Sequence, residues 1–163
     1  MPSPLRYALG TLVLAAASLS NQNLANQDAA TMSHAKGPFD VKLSLLDTYN
    51  KSDATLARRS IDKQFHGDLD ATSQGEMLST GSAANFGGYV AIERVSGALS
   101  GRKGTFALQH NATMTNGTPY LNIIVVPGSG TGELAGLSGK MSIDIAPGGA
   151  HSYTFDYTID GEK

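Results

Sequence analysis

From Gly37 onward, apolar side chains alternate with polar ones at a spacing of two, the pattern of β-strands with one buried face. Phe39, Val41, Leu43 and Leu45 predict a first strand; Ile61, Phe65 and Leu69 mark a second, and a weaker third covers Ala71 to Thr80. Tyr89, Ala91, Val95 and Leu99 give a fourth, and Phe106 and Leu108 a fifth that ends near Met114. Leu121 to Val126 form a sixth, Met141, Ile143 and Ile145 a seventh, and Tyr153, Phe155, Tyr157 and Ile159 an eighth. Turn formers separate them at Asp70-Ala71, Gly81 to Gly88, Ser100-Gly101, Asn116-Gly117, Pro127 to Gly130 and Pro147-Gly148-Gly149. Short turns between consecutive strands make an up-and-down meander. An even strand count lets the last strand run antiparallel to the first and hides both edges. The expected fold is therefore all-β, an eight-stranded antiparallel barrel, with an open sandwich as the alternative.

The first residues follow a different pattern. Arg6 precedes an apolar run from Tyr7 to Leu19, which is the layout of an export leader and falls short of the about 20 apolar residues that span a bilayer. We expect a signal peptide over residues 1–25, cut between about Ala17 and Ala30, and hence a periplasmic or secreted protein. Residues 26–36 are polar and alanine-rich without a sustained period, and are expected to form a disordered spacer, with the barrel domain over residues 37–163.

Composition narrows the function classes. The chain of 163 residues carries no cysteine, which removes thiolate zinc sites and thiol catalysis, and its length suffices for a core without such staples. Twelve basic and fourteen acidic residues give a net charge of −2, so no basic footprint points to nucleic acid or to an anionic membrane after leader cleavage.

The segment Leu121 to Lys140, LNIIVVPGSGTGELAGLSGK, contains Gly130-x-Gly132-x-x-Ala135 after an apolar run, the formal outline of a dinucleotide loop. That chemistry needs a helix to begin at the loop, so that its N-terminus holds the pyrophosphate. Gly136 and Gly139 interrupt the segment, and strand alternation resumes at once in Lys140 to Ala146. A P-loop fails as well, since Met141 follows Gly139-Lys140 and Leu134 stands where glycine is required. The glycines are read instead as a tight turn and bend between the sixth and seventh strands.

The blocks IERVSGALSGRKGTFALQHNATM, VVPGSGTGELAGLSGKMSI and HSYTFDYTI resemble a bacterial domain-of-unknown-function family, number 3224, which is similar in fold to the allene oxide cyclase barrel. The resemblance spans roughly Gly37 to Ile159. It implies the eight-stranded antiparallel barrel already inferred, and no particular activity.

Candidate chemistry follows from strand pairing. If Ser100 to Lys103 close the hairpin of strands four and five, Val95 faces Leu108 and Glu93 faces His110, all on the inward face. The turn Pro147 to Ala150 sets Ile145 opposite His151, Ile143 opposite Tyr153 and Met141 opposite Phe155. Strand directions bring Glu93, His110 and His151 toward one mouth, rimmed by the longest connections, Asp47 to Thr55 and Gly81 to Gly88. A Glu/His pair in an apolar cavity is suited to polarising a ligand or moving a proton; the alternative is an internal ion pair that fills the barrel. The same three residues have the makings of a metal triad, but lack helical ligand spacing, and no metal or cofactor is assigned. Tyr153, Phe155 and Tyr157 line either a ligand pocket or the core, while Asp156 alternates with them and points outward. Ser129, His110 and Asp144 lack the elbow sequence of a hydrolase nucleophile, and His34 and His66 have no evident partner.

The expected function is binding of a small apolar or amphipathic ligand in the lumen, with Glu93 and His110 as candidate catalytic residues and Glu93, His110, His151, Tyr153, Phe155 and Tyr157 as candidate ligand contacts. The alternatives are a cyclase- or isomerase-like enzyme and a filled structural or interaction barrel without ligand. Self-association through outer faces is left open.

Overall fold

The computed structural model describes residues 31–82 and 85–161; the expected leader and the first part of the spacer, residues 26–30, lie outside the described residues. Eight strands form a closed antiparallel barrel in sequence order: β1 Ser33–Leu46, β2 Leu56–Phe65, β3 Leu69–Ser82, β4 Phe86–Leu99, β5 Arg102–Thr115, β6 Thr118–Val125, β7 Leu137–Ile145 and β8 His151–Ile159. Only a single 3-10 turn, Gly132–Leu134, interrupts the all-β pattern among the described residues. Strand β1 starts ahead of Gly37: Ser33 to Lys36, expected in the spacer, pair with Tyr157 to Thr154 of β8 and help close the barrel. Closure satisfies backbone groups that would otherwise lie on open edges.

Two boundaries differ from the sequence pattern for a visible reason. Leu69 shares the apolar phase of Ile61 and Phe65, yet it opens β3, because the chain reverses at residues 66–68, where Gly67 has φ of 88°. The expected turn at Asp70-Ala71 thus lies inside β3, with Ala71 opposite Phe65. The expected Gly81 to Gly88 loop is shorter than read, since Gly81 pairs with Gly87 and Ser82 with Phe86.

The hairpin of β4 and β5 turns on two residues, Ser100 and Gly101, both at positive φ (49° and 83°), as a type I′ turn requires. Leu99 therefore pairs with Arg102, Val95 with Phe106, Glu93 with Leu108 and Ala91 with His110. This corrects the expected pairing of Glu93 with His110 by a slip of two residues. An even slip keeps every side chain on its face, so both residues stay inside the barrel as diagonal neighbours. The β7–β8 register, by contrast, is as expected, with Ile145 opposite His151, Ile143 opposite Tyr153 and Met141 opposite Phe155.

The interior is filled at one end and open at the other. The end reached by the β2–β3, β4–β5 and β6–β7 connections holds the core, which includes Phe65, Leu69, Leu99, Phe106, Leu134 and Phe155. Each such side chain contributes about 1.5–3 kcal/mol by leaving water. Toward the opposite end, Leu43, Leu45 and Ile145 keep the inward phase but are 50%, 74% and 64% exposed. Strands β6 and β7 pair only at Ile123–Met141 and Ile124–Lys140, and so part toward that open end. Pro119, without an N–H to donate, occupies the stretch of β6 that lacks a β7 partner.

Candidate functional site

Between the packed half and the open half lies a buried polar layer. Strand alternation turns Lys63 of β2, Ser73 of β3, Glu93 of β4 and His110 of β5 inward, and all four are buried. Lys63 Nζ and His110 Nε2 donate to Glu93 Oε1 at 2.7 and 2.9 Å, and Ser73 Oγ donates to Oε2 at 2.7 Å. Burial alone would raise the Glu93 pKa. The hydrogen bond from His110 and the charge of Lys63 outweigh that effect and hold it at about 2. The Lys63 ammonium also lies 5.3 and 5.5 Å from the ring centroids of Phe39 and Phe65. Among the described residues, no buried side-chain nitrogen or oxygen lacks a partner. A carboxylate so fully engaged and so weakly basic is an internal brace more than a proton acceptor.

Above this layer the lumen opens into a cup of about 570 Å³. Its two sides differ in chemistry. Arg59 of β2, Ser79 of β3 and Tyr89 of β4 line one wall, with Arg59 Nη1 donating to Ser79 Oγ at 3.0 Å. Ala112 and Met114 of β5, Leu121 of β6 and Ile145 of β7 line the other, together with Thr113, Pro119 and Tyr120. Tyr89 is half-buried, and burial together with the nearby Glu93 charge pushes its phenol pKa up, so it remains an O–H donor at neutral pH. Ala54 and Thr55 of the β1–β2 connection contribute to the rim, at the end where the sequence placed the mouth.

The family described as "Protein of unknown function (DUF3224)" matches residues 35–157. The chain belongs to the DUF3224 family. It is similar to a crystal structure of a protein of unknown function from the DUF3224 family of Shewanella oneidensis MR-1, with 46% identity and a TM-score of 0.75 over 81% of this chain and all of that one. No curated protein matches the chain.

In this DUF3224 barrel, Glu93 and His110 come together as the sequence suggested, but His151 does not join them. The staggered closure of β8 on β1 sets His151 opposite Phe39, where its ring packs at 5.1 Å. Tyr153, Phe155 and Tyr157 belong to the packed half of the lumen. Tyr153 accepts from Leu69 N and donates to His66 O, Phe155 lies between Phe106 and Tyr157, and Tyr157 donates to Ser100 Oγ. Ser129 accepts from Ala107 N at the closed end and Asp144 is exposed on β7, so neither meets His110. Among the described residues, no three His, Asp or Glu side chains gather as a metal site. His34 and His66 do find partners, Asp156 at 2.6 Å and Asp40 at 3.2 Å, both on the surface.

Four residues of the site were not singled out from sequence. Lys63 falls midway between inward Ile61 and Phe65, and Arg59 two residues before Ile61, so the period of two already carried the signal. Ser73 follows Ala71 by the same step, and Tyr89 shares the phase of Ala91 and Val95.

Proposed function

We propose that this protein is an exported carrier or sensor that holds a small amphipathic molecule in the open half of its barrel. The observation behind this reading is the cup itself: a concave space of ligand size, with a polar wall facing an apolar one, at the mouth of a barrel whose other half is packed. The parted strands β6 and β7 lie beside the cup and offer a way in. The leader-like segment from Arg6 to Leu19 supports the exported location. The cyclase-like alternative would need another proton acceptor, since Glu93 is committed to Lys63, His110 and Ser73.

A neutral environment-sensitive dye such as Nile red tests the reading. Purified protein should bind it at one saturable site, and Ala112→Trp, which places an indole in the cup, should weaken that binding at least tenfold. Leu78→Ser, on the exposed outer face of β3, should leave it unchanged. The opposite pattern would put the dye on the outer sheet and reject the cup.

A further inference from the structure

The charge pattern of the cup wall specifies the ligand more closely. Arg59 and Arg58 are adjacent in β2 and point to opposite faces. On the outside, Arg58 is neutralised by Glu76, with contacts of 2.6 to 2.8 Å. Inside, Arg59 is half-buried on the cup wall and, among the described residues, no carboxylate pairs with it; its sole hydrogen bond runs from Nη1 to the neutral Ser79 Oγ. Guanidinium Nε and Nη2 therefore keep unused donors. Ser79 lies directly opposite Tyr89 in the β3–β4 ladder, and the Tyr89 hydroxyl likewise has no hydrogen-bond partner among the described residues.

A partly desolvated guanidinium without a counter-ion, beside a phenol donor, is the arrangement that captures a planar anion through charge-assisted hydrogen bonds. The facing wall is mostly apolar, with Ala112, Met114, Leu121 and Ile145 beside Thr113 and Tyr120 and no charged side chain, and suits an alkyl or other apolar body. We propose that the ligand is an amphipathic carboxylate, its head held by Arg59 and Tyr89 and its apolar body against β5, β6 and β7.

This inference rests on the cup as the binding site, and a matched ligand set separates the two. Calorimetric titration of the intact barrel with decanoate, decan-1-ol and decylammonium uses one tail and three heads. Decanoate should bind about ten- to a hundredfold more tightly than decan-1-ol, the range that a charge-assisted pair provides, and decylammonium most weakly. In Arg59→Met the advantage of decanoate over decan-1-ol should vanish, and Arg59→Lys should retain part of it. Equal affinity for the three heads in the unaltered protein would overturn the anion preference and leave the cup standing. Binding of none would overturn both.

Discussion

Glu93→Gln should destabilise the barrel by about 3–5 kcal/mol in urea unfolding, among the largest effects of any single substitution in this chain. The glutamine amide has nearly the same shape, so no cavity forms. What changes is charge: Lys63, 6% exposed at its side chain, loses its anion and stays confined between Phe39, Phe65 and the polar layer. Acid titration measures the same interaction independently. Glu93 has a folded pKa of about 2, below its ordinary value of 4.5, so its contribution is complete above about pH 4.5 and is lost as the pH falls toward 2. At about 1.4 kcal/mol per pH unit, that gap is worth about 3 kcal/mol, in line with the cost of the substitution. The unaltered protein should therefore lose stability steeply between pH 4.5 and 2, and Glu93→Gln should show a shallower fall there. Replacing Lys63 together with Glu93 by apolar residues should recover much of the loss, because no unpaired charge then remains. A loss under 1 kcal/mol for Glu93→Gln, with an unchanged acid profile, would mean that the layer is hydrated and unimportant to folding.

The polar layer also shows what strand periodicity conveys. Eight strands, their inward faces and closure follow from alternation and turn residues, because a period of two survives every even error in register. That is why Glu93 and His110 are neighbours in both the sequence pattern and the structure, although the turn at Ser100-Gly101 is two residues shorter than the pattern implies. Sequence alone gives Lys63 no inward role, because a charged residue in a strand is ordinarily solvated; only the three-dimensional position of Glu93, two strands away across β3, supplies the reason for its burial. His151 failed to converge with the pair for a different reason. Its register with Ile145 was correct, yet its height in the barrel depends on how β8 closes against β1, and that long-range stagger leaves no local trace in the sequence. The division of the lumen into a packed half and an open half is likewise a property of closure, since Leu43, Leu45 and Ile145 read as inward core positions yet stand open to solvent.

The glycine-rich corner explains how the packed half is sealed, and its central side chain gives the second large effect. Strand β6 stops at Val125, well short of the start of β5, and the corner takes over as partner of β5. Val126 N donates to Ala107 O, Ser129 Oγ accepts from Ala107 N, Thr131 N donates to Thr105 O, and Glu133 Oε2 accepts from Lys103 N. Gly104 permits this close approach: a Cβ there would sit 2.1 Å from Thr131 O. The 3-10 turn that follows drives Leu134 into the closed end of the lumen, where it is 1% exposed. Leu134→Ala should cost about 3 kcal/mol, within the 2–5 kcal/mol range of buried leucine truncations, because a plug held by backbone hydrogen bonds on both sides has little freedom to collapse into the vacated space. Urea unfolding of the variant reads this loss directly. Ligand binding at the far mouth should be unaffected under conditions where the variant is folded, since the polar layer and the packed core separate the two ends. A loss below 1 kcal/mol would show that Leu134 is a cover over an already complete core; a loss of binding with the fold intact would show that the two halves of the lumen are coupled.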